Sequence, residues 1–181
     1  MILPARHRGL SILLALLVGG AAVPAVADND CMDFKWDVSK ERALFAQAPV
    51  ELTAGNNSKS APGIVPNRLY KLRLAVQDHV LFSAPPGRKM TGTPAFAGLA
   101  TLRVDAPGSY RIAIDLPLWI DLVSNGNLLQ PTDYQGQHAC SAPHKIVVFD
   151  LAGAQPVILQ FSNAFQDDVL LTVTAVPARK L

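Results

Sequence analysis

The chain has 181 residues, with 16 Lys and Arg against 14 Asp and Glu, and half of its residues are apolar. That is one domain's worth of chain, able to bury a sizeable core. The near-balanced charge excludes the basic footprint expected of a protein that grips nucleic acid or an anionic membrane surface.

Arg6 and Arg8 precede an apolar run from Ile12 to Val18, and small residues follow as far as Ala25-Val26-Ala27. This is the pattern of a secretory signal peptide over residues 1–27, with residues 28–181 as a single mature domain. The apolar run is too short and too glycine-broken to span a bilayer, so no membrane span is expected after cleavage. The expected location is periplasmic or secreted. The chain has 2 cysteines, Cys31 and Cys140, and export to an oxidising compartment predicts that they form a disulfide. Closing so long a loop would remove roughly 4–5 kcal/mol of denatured-state freedom on the chain-entropy model. Asp28, Asn29 and Asp30 precede Cys31 in place of the small apolar residues of a lipoprotein processing site.

Along the mature chain, Ser39 to Gln47 places Leu44 and Phe45 behind Ser39, a good N-cap residue, and predicts one short helix. Ala54 to Asn67 is polar and turn-rich and reads as a loop. From there, runs rich in β-branched and apolar residues alternate with Gly, Pro and Asn clusters, the pattern of an all-β domain. Leu69 to Leu74, Thr101 to Val104 and Tyr110 to Ile114 show the period of two expected of half-buried strands. The last two of these flank Ala106-Pro107-Gly108 and read as a hairpin. Leu118 to Val123 is apolar on both faces apart from Asp121 and reads as a central strand, and Asn125-Gly126 after it is a hairpin-turn signal. Ile146 to Leu151, Val157 to Phe161 and Val169 to Ala175 complete the set. About eight or nine strands predict an antiparallel β-sandwich of jelly-roll type with one short N-terminal helix.

Three groups of residues bear on chemistry. His138, Cys140 and His144 gather nitrogen and sulfur donors that could hold a transition metal such as zinc, copper or iron, with Cys31 or Met32 completing the set. If Cys140 is consumed in a disulfide, His138, His144 and the distant His79 remain, and no cofactor is expected. Trp119 reads first as a core residue of its strand; the other reading is an aromatic platform with the polar neighbours Asp115 and Asp121, as sugar-binding sandwiches use. Pro85-Pro86-Gly87-Arg88-Lys89 lacks phosphate-loop spacing and reads as a solvated hairpin loop. A thiol nucleophile at Cys140 would need a reduced sulfur, and no Gly-x-Ser-x-Gly elbow is present. The only glutamates, Glu41 and Glu51, lie near the N-terminal helix, away from any cleft between the strongest strands.

Leu69-Tyr70-Lys71-Leu72, Gly108-Ser109-Tyr110-Arg111-Ile112, Trp119-Ile120-Asp121-Leu122-Val123 and the closing Val169 to Val173 strand resemble secreted β-sandwiches of the pre-peptidase C-terminal type. That resemblance implies a non-catalytic accessory module. Trp119-Ile120-Asp121, Tyr134-Gln135-Gly136, Cys140 and Ala142-Pro143-His144-Lys145 are similar to a pattern in short secreted proteobacterial proteins, some of which carry the name homogentisate 1,2-dioxygenase. A mature chain with three histidines and no glutamate beyond Glu51 does not suit the two histidines and carboxylate that such an iron site requires.

The expectation from the sequence is therefore an exported, non-catalytic β-sandwich that binds a protein, glycan or small ligand, and no nucleic acid. Trp119, Asp121, Tyr134, His144 and Lys145 are its candidate ligand-binding residues. The alternative is a metal-binding or metal-dependent protein that uses His138, Cys140 and His144.

Overall fold

The computed structural model describes residues 34–89, 95–137 and 139–176. The expected signal peptide, Cys31, Met32 and His138 lie outside the described residues.

The fold is all-β. Twelve strands are formed among the described residues: β1 (Val50–Thr53), β2 (Gly63–Ile64), β3 (Leu69–Arg73), β4 (Ala75–Val76), β5 (Phe96–Leu102), β6 (Gly108–Ile114), β7 (Trp119–Ser124), β8 (Asn127–Leu129), β9 (Asp133–Gly136), β10 (Lys145–Leu151), β11 (Val157–Ala164) and β12 (Asp168–Ala175). They build two sheets, one in the order β1-β3-β12-β6-β10-β9 and the other in the order β2-β5-β11-β7-β8, with β4 pairing on β5. Successive long strands alternate between the sheets, an order compatible with the expected jelly-roll winding.

A single core fills the space between the sheets. Leu72, Ile112, Phe149 and Leu171 from the first sheet meet Leu102, Leu122, Leu159 and Phe161 from the second. All eight side chains are essentially inaccessible. Alternation along each strand delivers them to the inner faces, and burial of a side chain of this size contributes about 1.5–3 kcal/mol.

Three expectations are corrected here. The sheets are mixed, because β1 runs parallel to β3 and β2 runs parallel to β5. Both short strands lie at sheet edges, where a parallel addition needs only a loop long enough to return the chain. The segment 54–67 is accordingly more than a loop: it contains β2, bridges Gly55 to Leu99 and buries Ile64 completely. The second correction concerns β5 and β6, which do not form a hairpin. β5 pairs with β11, β6 pairs with β10 and β12, and the turn between them crosses from one sheet to the other. Tyr110 fixes that crossing by donating its hydroxyl to the Ala106 carbonyl at 2.8 Å, so the ring packs in the core while its polar end closes the turn.

The third correction is at the helix α1 (Ser39–Phe45). Ser39 is its first residue and makes no cap; the Asp37 carboxylate takes the Ser39 N–H at 2.9 Å instead. That bond holds the Asp37 carboxyl below the usual aspartate range.

The hairpin expected at Asn125-Gly126 is present, with Ser124 opposite Asn127 and both turn residues at positive φ. Two consecutive positive φ values match the right-handed twist of the flanking strands, and Asn-Gly supplies them at low cost.

Both outer faces are covered. Phe34, Trp36, Val38 and Phe45 pack on Ala113 and Ile146 outside the first sheet, and α1 lies over β12. Beneath the helix, Glu41 and Arg111 form a buried ion pair at 3.5 Å. Thr174 also donates its hydroxyl to Glu41 Oε1, and Arg111 donates to the Asp37 carbonyl at 2.8 Å. Outside the second sheet, a strap over residues 77–88 is held by two amide side chains. Gln160 accepts from the N–H groups of Ser83 and Ala84 at 2.9 and 3.3 Å and donates to the Ala84 carbonyl at 3.1 Å. Gln77 accepts the Asn163 N–H at 2.7 Å.

Candidate functional site

Lys145 is the first residue of β10, and alternation places it with Val147 on the inner face of its sheet. On the neighbouring edge strand β9, Tyr134 stands opposite Val147 and Gly136 opposite Lys145. Directly opposed residues share a face, so Tyr134 and Lys145 look toward the second sheet. There β7 begins with Trp119, whose neighbours Ile120 and Leu122 turn into the core. Trp119 and Asp121 therefore point to the outer side of β7, under the end of the strap.

The result is a groove of about 530 Å³ at the margin where the two sheets approach, within the range of small-molecule sites. Pro117, Leu118, Ile120, Pro131 and Val147 give it an apolar lining. Tyr134 and Phe165 stand at its rim, 66% and 72% exposed. An exposed aromatic ring at a concave surface is an available contact area for a ligand.

Trp119 is the centre of the polar arrangement. The Arg88 guanidinium lies 5.6 Å from its ring centroid and the Lys145 ammonium 5.1 Å from it, both within cation–π range. Lys145 also donates to the Leu118 carbonyl at 3.0 Å, tying the start of β10 to the other sheet. Burial, reinforced by the nearby Arg88 charge, lowers the Lys145 pKa below the usual lysine value, while Asp121 opposes the shift.

Asp121 stands beside Trp119, as the sequence suggested, but is engaged from two sides. Its Oδ1 accepts the Trp119 indole N–H at 2.9 Å, and its Oδ2 accepts the Gly87 N–H at 3.0 Å. Both oxygens are engaged in orienting the site: one sets the indole, the other fastens the strap that carries Arg88. Gly87 is required there, because a Cβ would stand 2.8 Å from Asp121 Oδ1 and 3.4 Å from the indole nitrogen.

His144 is buried at the groove wall, with Nδ1 at 3.0 Å from the Cys140 carbonyl oxygen. Nearby, desolvation raises the Asp115 pKa even though the Leu170 N–H donates to its carboxylate at 2.9 Å. Cys140 is buried. Its expected partner Cys31 and the third residue of the metal set, His138, fall outside the described residues. Among the described residues, no group of three or more His, Cys, Asp or Glu is placed to hold a metal ion. His79 is exposed on the strap.

Of the five candidate ligand-binding residues, the structure brings Trp119, Tyr134, His144 and Lys145 to one groove and sets Asp121 behind it. Trp119 is half-buried at the groove and not in the core between the sheets. Sequence reasoning missed Arg88 and Phe165. The proline-rich loop carrying Arg88 read as solvated because nothing local shows its tether to a strand residue 34 positions away. A phenylalanine within the polar turn before β12 was the one available signal for Phe165.

The lining can offer cations, aromatic edges, apolar walls and the polar side chains of His144 and Asn163. It includes no carboxylate, serine or cysteine among the described residues. The chain matches no protein-family model and no curated protein.

Proposed function

We propose that this protein is an exported, non-catalytic binding module of the β-sandwich class, and that the groove around Trp119 is where it takes its ligand. The observation that carries the reading is the groove itself: an apolar trough between two sheets, with two exposed rings at the rim and an oriented indole beside two cations. Such concave, mainly apolar sites with a few convergent polar groups are the ordinary form of small-ligand binding. In this reading the signal peptide is removed after Ala27, Cys31 pairs with Cys140, and the periplasm or the exterior is the working compartment. The covalent link would join the N-terminal segment to the 139–144 turn beside the groove.

The test is a ligand screen on the exported protein by thermal shift and tryptophan fluorescence, repeated with Trp119→Ala. A ligand that stabilises the protein and quenches its fluorescence, with both effects lost in the variant, is the expected result. Binding unaffected by the substitution would place the site elsewhere. Intact mass with and without reductant checks the disulfide: a deficit of two hydrogens is expected, and two alkylatable thiols would remove it from the proposal.

A further inference from the structure

Resting on the groove as the binding site, we infer that its ligand is a small organic acid: a carboxylate held by Arg88 and Lys145, with an apolar, ring-bearing body lying between Tyr134 and Phe165. The inference starts from charge. Arg88 and Lys145 both approach one indole ring, yet neither has an ion-pair partner among the described residues. Among the described residues, the carboxylate close by, Asp121, already accepts from the Trp119 indole and the Gly87 backbone. Two like charges converge at a partly desolvated surface, which is unfavourable until an anion arrives. Arg88 presents a planar fork suited to a carboxylate, and Lys145 has two ammonium protons beyond the one donated to Leu118.

The remaining lining sets the body of the ligand. A polyol needs a dense array of donors and acceptors, whereas Pro117, Leu118, Ile120, Pro131 and Val147 offer none from their side chains and Tyr134, His144 and Asn163 add only a few polar groups. Tyr134 and Phe165 add two exposed rings against which a flat or aliphatic group can pack. A volume of about 530 Å³ suits one small molecule. Asp121 is the positioning residue of this site, since it holds both the indole and the strap on which Arg88 rides.

The experiment is calorimetric titration of the exported protein with 4-phenylbutyrate, its neutral amide and cellotetraose, on the unsubstituted chain and on Arg88→Gln, Lys145→Met and Trp119→Ala. Arg88 is exposed, so its substitution leaves the core untouched even if Lys145→Met disturbs folding. The acid is expected to bind at least about 10-fold more tightly than the amide, with that margin shrinking in both cation variants, as loss of a charge-assisted hydrogen bond requires. Equal affinity for acid and amide, or preference for the sugar, with either signal abolished by Trp119→Ala, would overturn the organic-acid inference while leaving the groove as a binding site. No binding by any of the three probes would overturn both.

Discussion

Replacing Asp121 by Asn tests whether this carboxylate organises the groove. The side chain is buried and accepts two hydrogen bonds, from the Trp119 indole at 2.9 Å and from the Gly87 amide at 3.0 Å. A hydrogen bond to a charged group contributes about 1.5–3 kcal/mol net. Asparagine keeps the shape and one oxygen, but its NH₂ group turns a donor toward a donor, so one bond is lost outright and the other is weakened to a neutral one. The expected cost is about 2–3 kcal/mol. With a urea m-value of about 2 kcal/mol/M for a domain of this size, the denaturation midpoint should fall by roughly 1 M. Tryptophan emission should shift to the red as the indole loses its acceptor and the strap loosens. Asp121 also supports the charged form of Lys145, so the Lys145 pKa should fall further in the variant. A midpoint within about 0.2 M of the unsubstituted protein, with unchanged emission, would refute the proposed role of Asp121.

Gly87→Ala should mimic that variant from the other side. Its Cβ would stand 2.8 Å from Asp121 Oδ1, and combining the two substitutions should cost clearly less than their sum because they break the same contact; strict additivity in a double-mutant cycle would show that Gly87 acts separately. Glu41→Gln leaves the buried Arg111 without its counter-charge and should destabilise by about 3–5 kcal/mol, whereas Glu41→Leu combined with Arg111→Met should recover much of that loss in chemical denaturation. Equal destabilisation by the single and double variants would mean that the pair is not the relevant unit. Asp115 has its pKa raised by burial. The native state therefore holds its proton more tightly than the unfolded chain, and stability falls as pH rises from the ordinary aspartate range through the folded pKa. Asp115→Asn, which keeps an acceptor for the Leu170 amide, should raise the melting temperature at pH 7 and leave it nearly unchanged at pH 3. The opposite pattern in calorimetric scans would reverse the sign assigned to this group.

The sequence by itself determined the long strands and, in part, their faces, but not the short strands β1, β2, β4 and β9. Alternating residues in strands such as Tyr110–Ile114 and Val169–Ala175 identify side chains that must leave water, and Asn125-Gly126 specifies its turn through backbone conformation alone. Trp119 and Asp121 were candidates because a tryptophan stood among polar neighbours in the sequence; that the two share the outer side of β7 came from the structure. The sequence signals are local, written within a few residues of one another. The pairing of strands is a different matter. Nothing around Ala106-Pro107-Gly108 states that β5 and β6 belong to separate sheets, because a short turn serves a hairpin or a crossing equally well. The parallel additions of β1 and β2 depend on which edges stay open after the core has formed.

The tertiary structure alone decided how the site is assembled. Lys145 meets Leu118, Gly87 meets Asp121 and Glu41 meets Arg111 across 27, 34 and 70 positions of chain. Hydrogen bonds and charges act over a few ångströms of space, whatever the separation along the chain. Residue types at Trp119, Tyr134, His144 and Lys145 could suggest a binding surface, but only the approach of two sheet margins makes it a groove. Only the strap brings Arg88 to it.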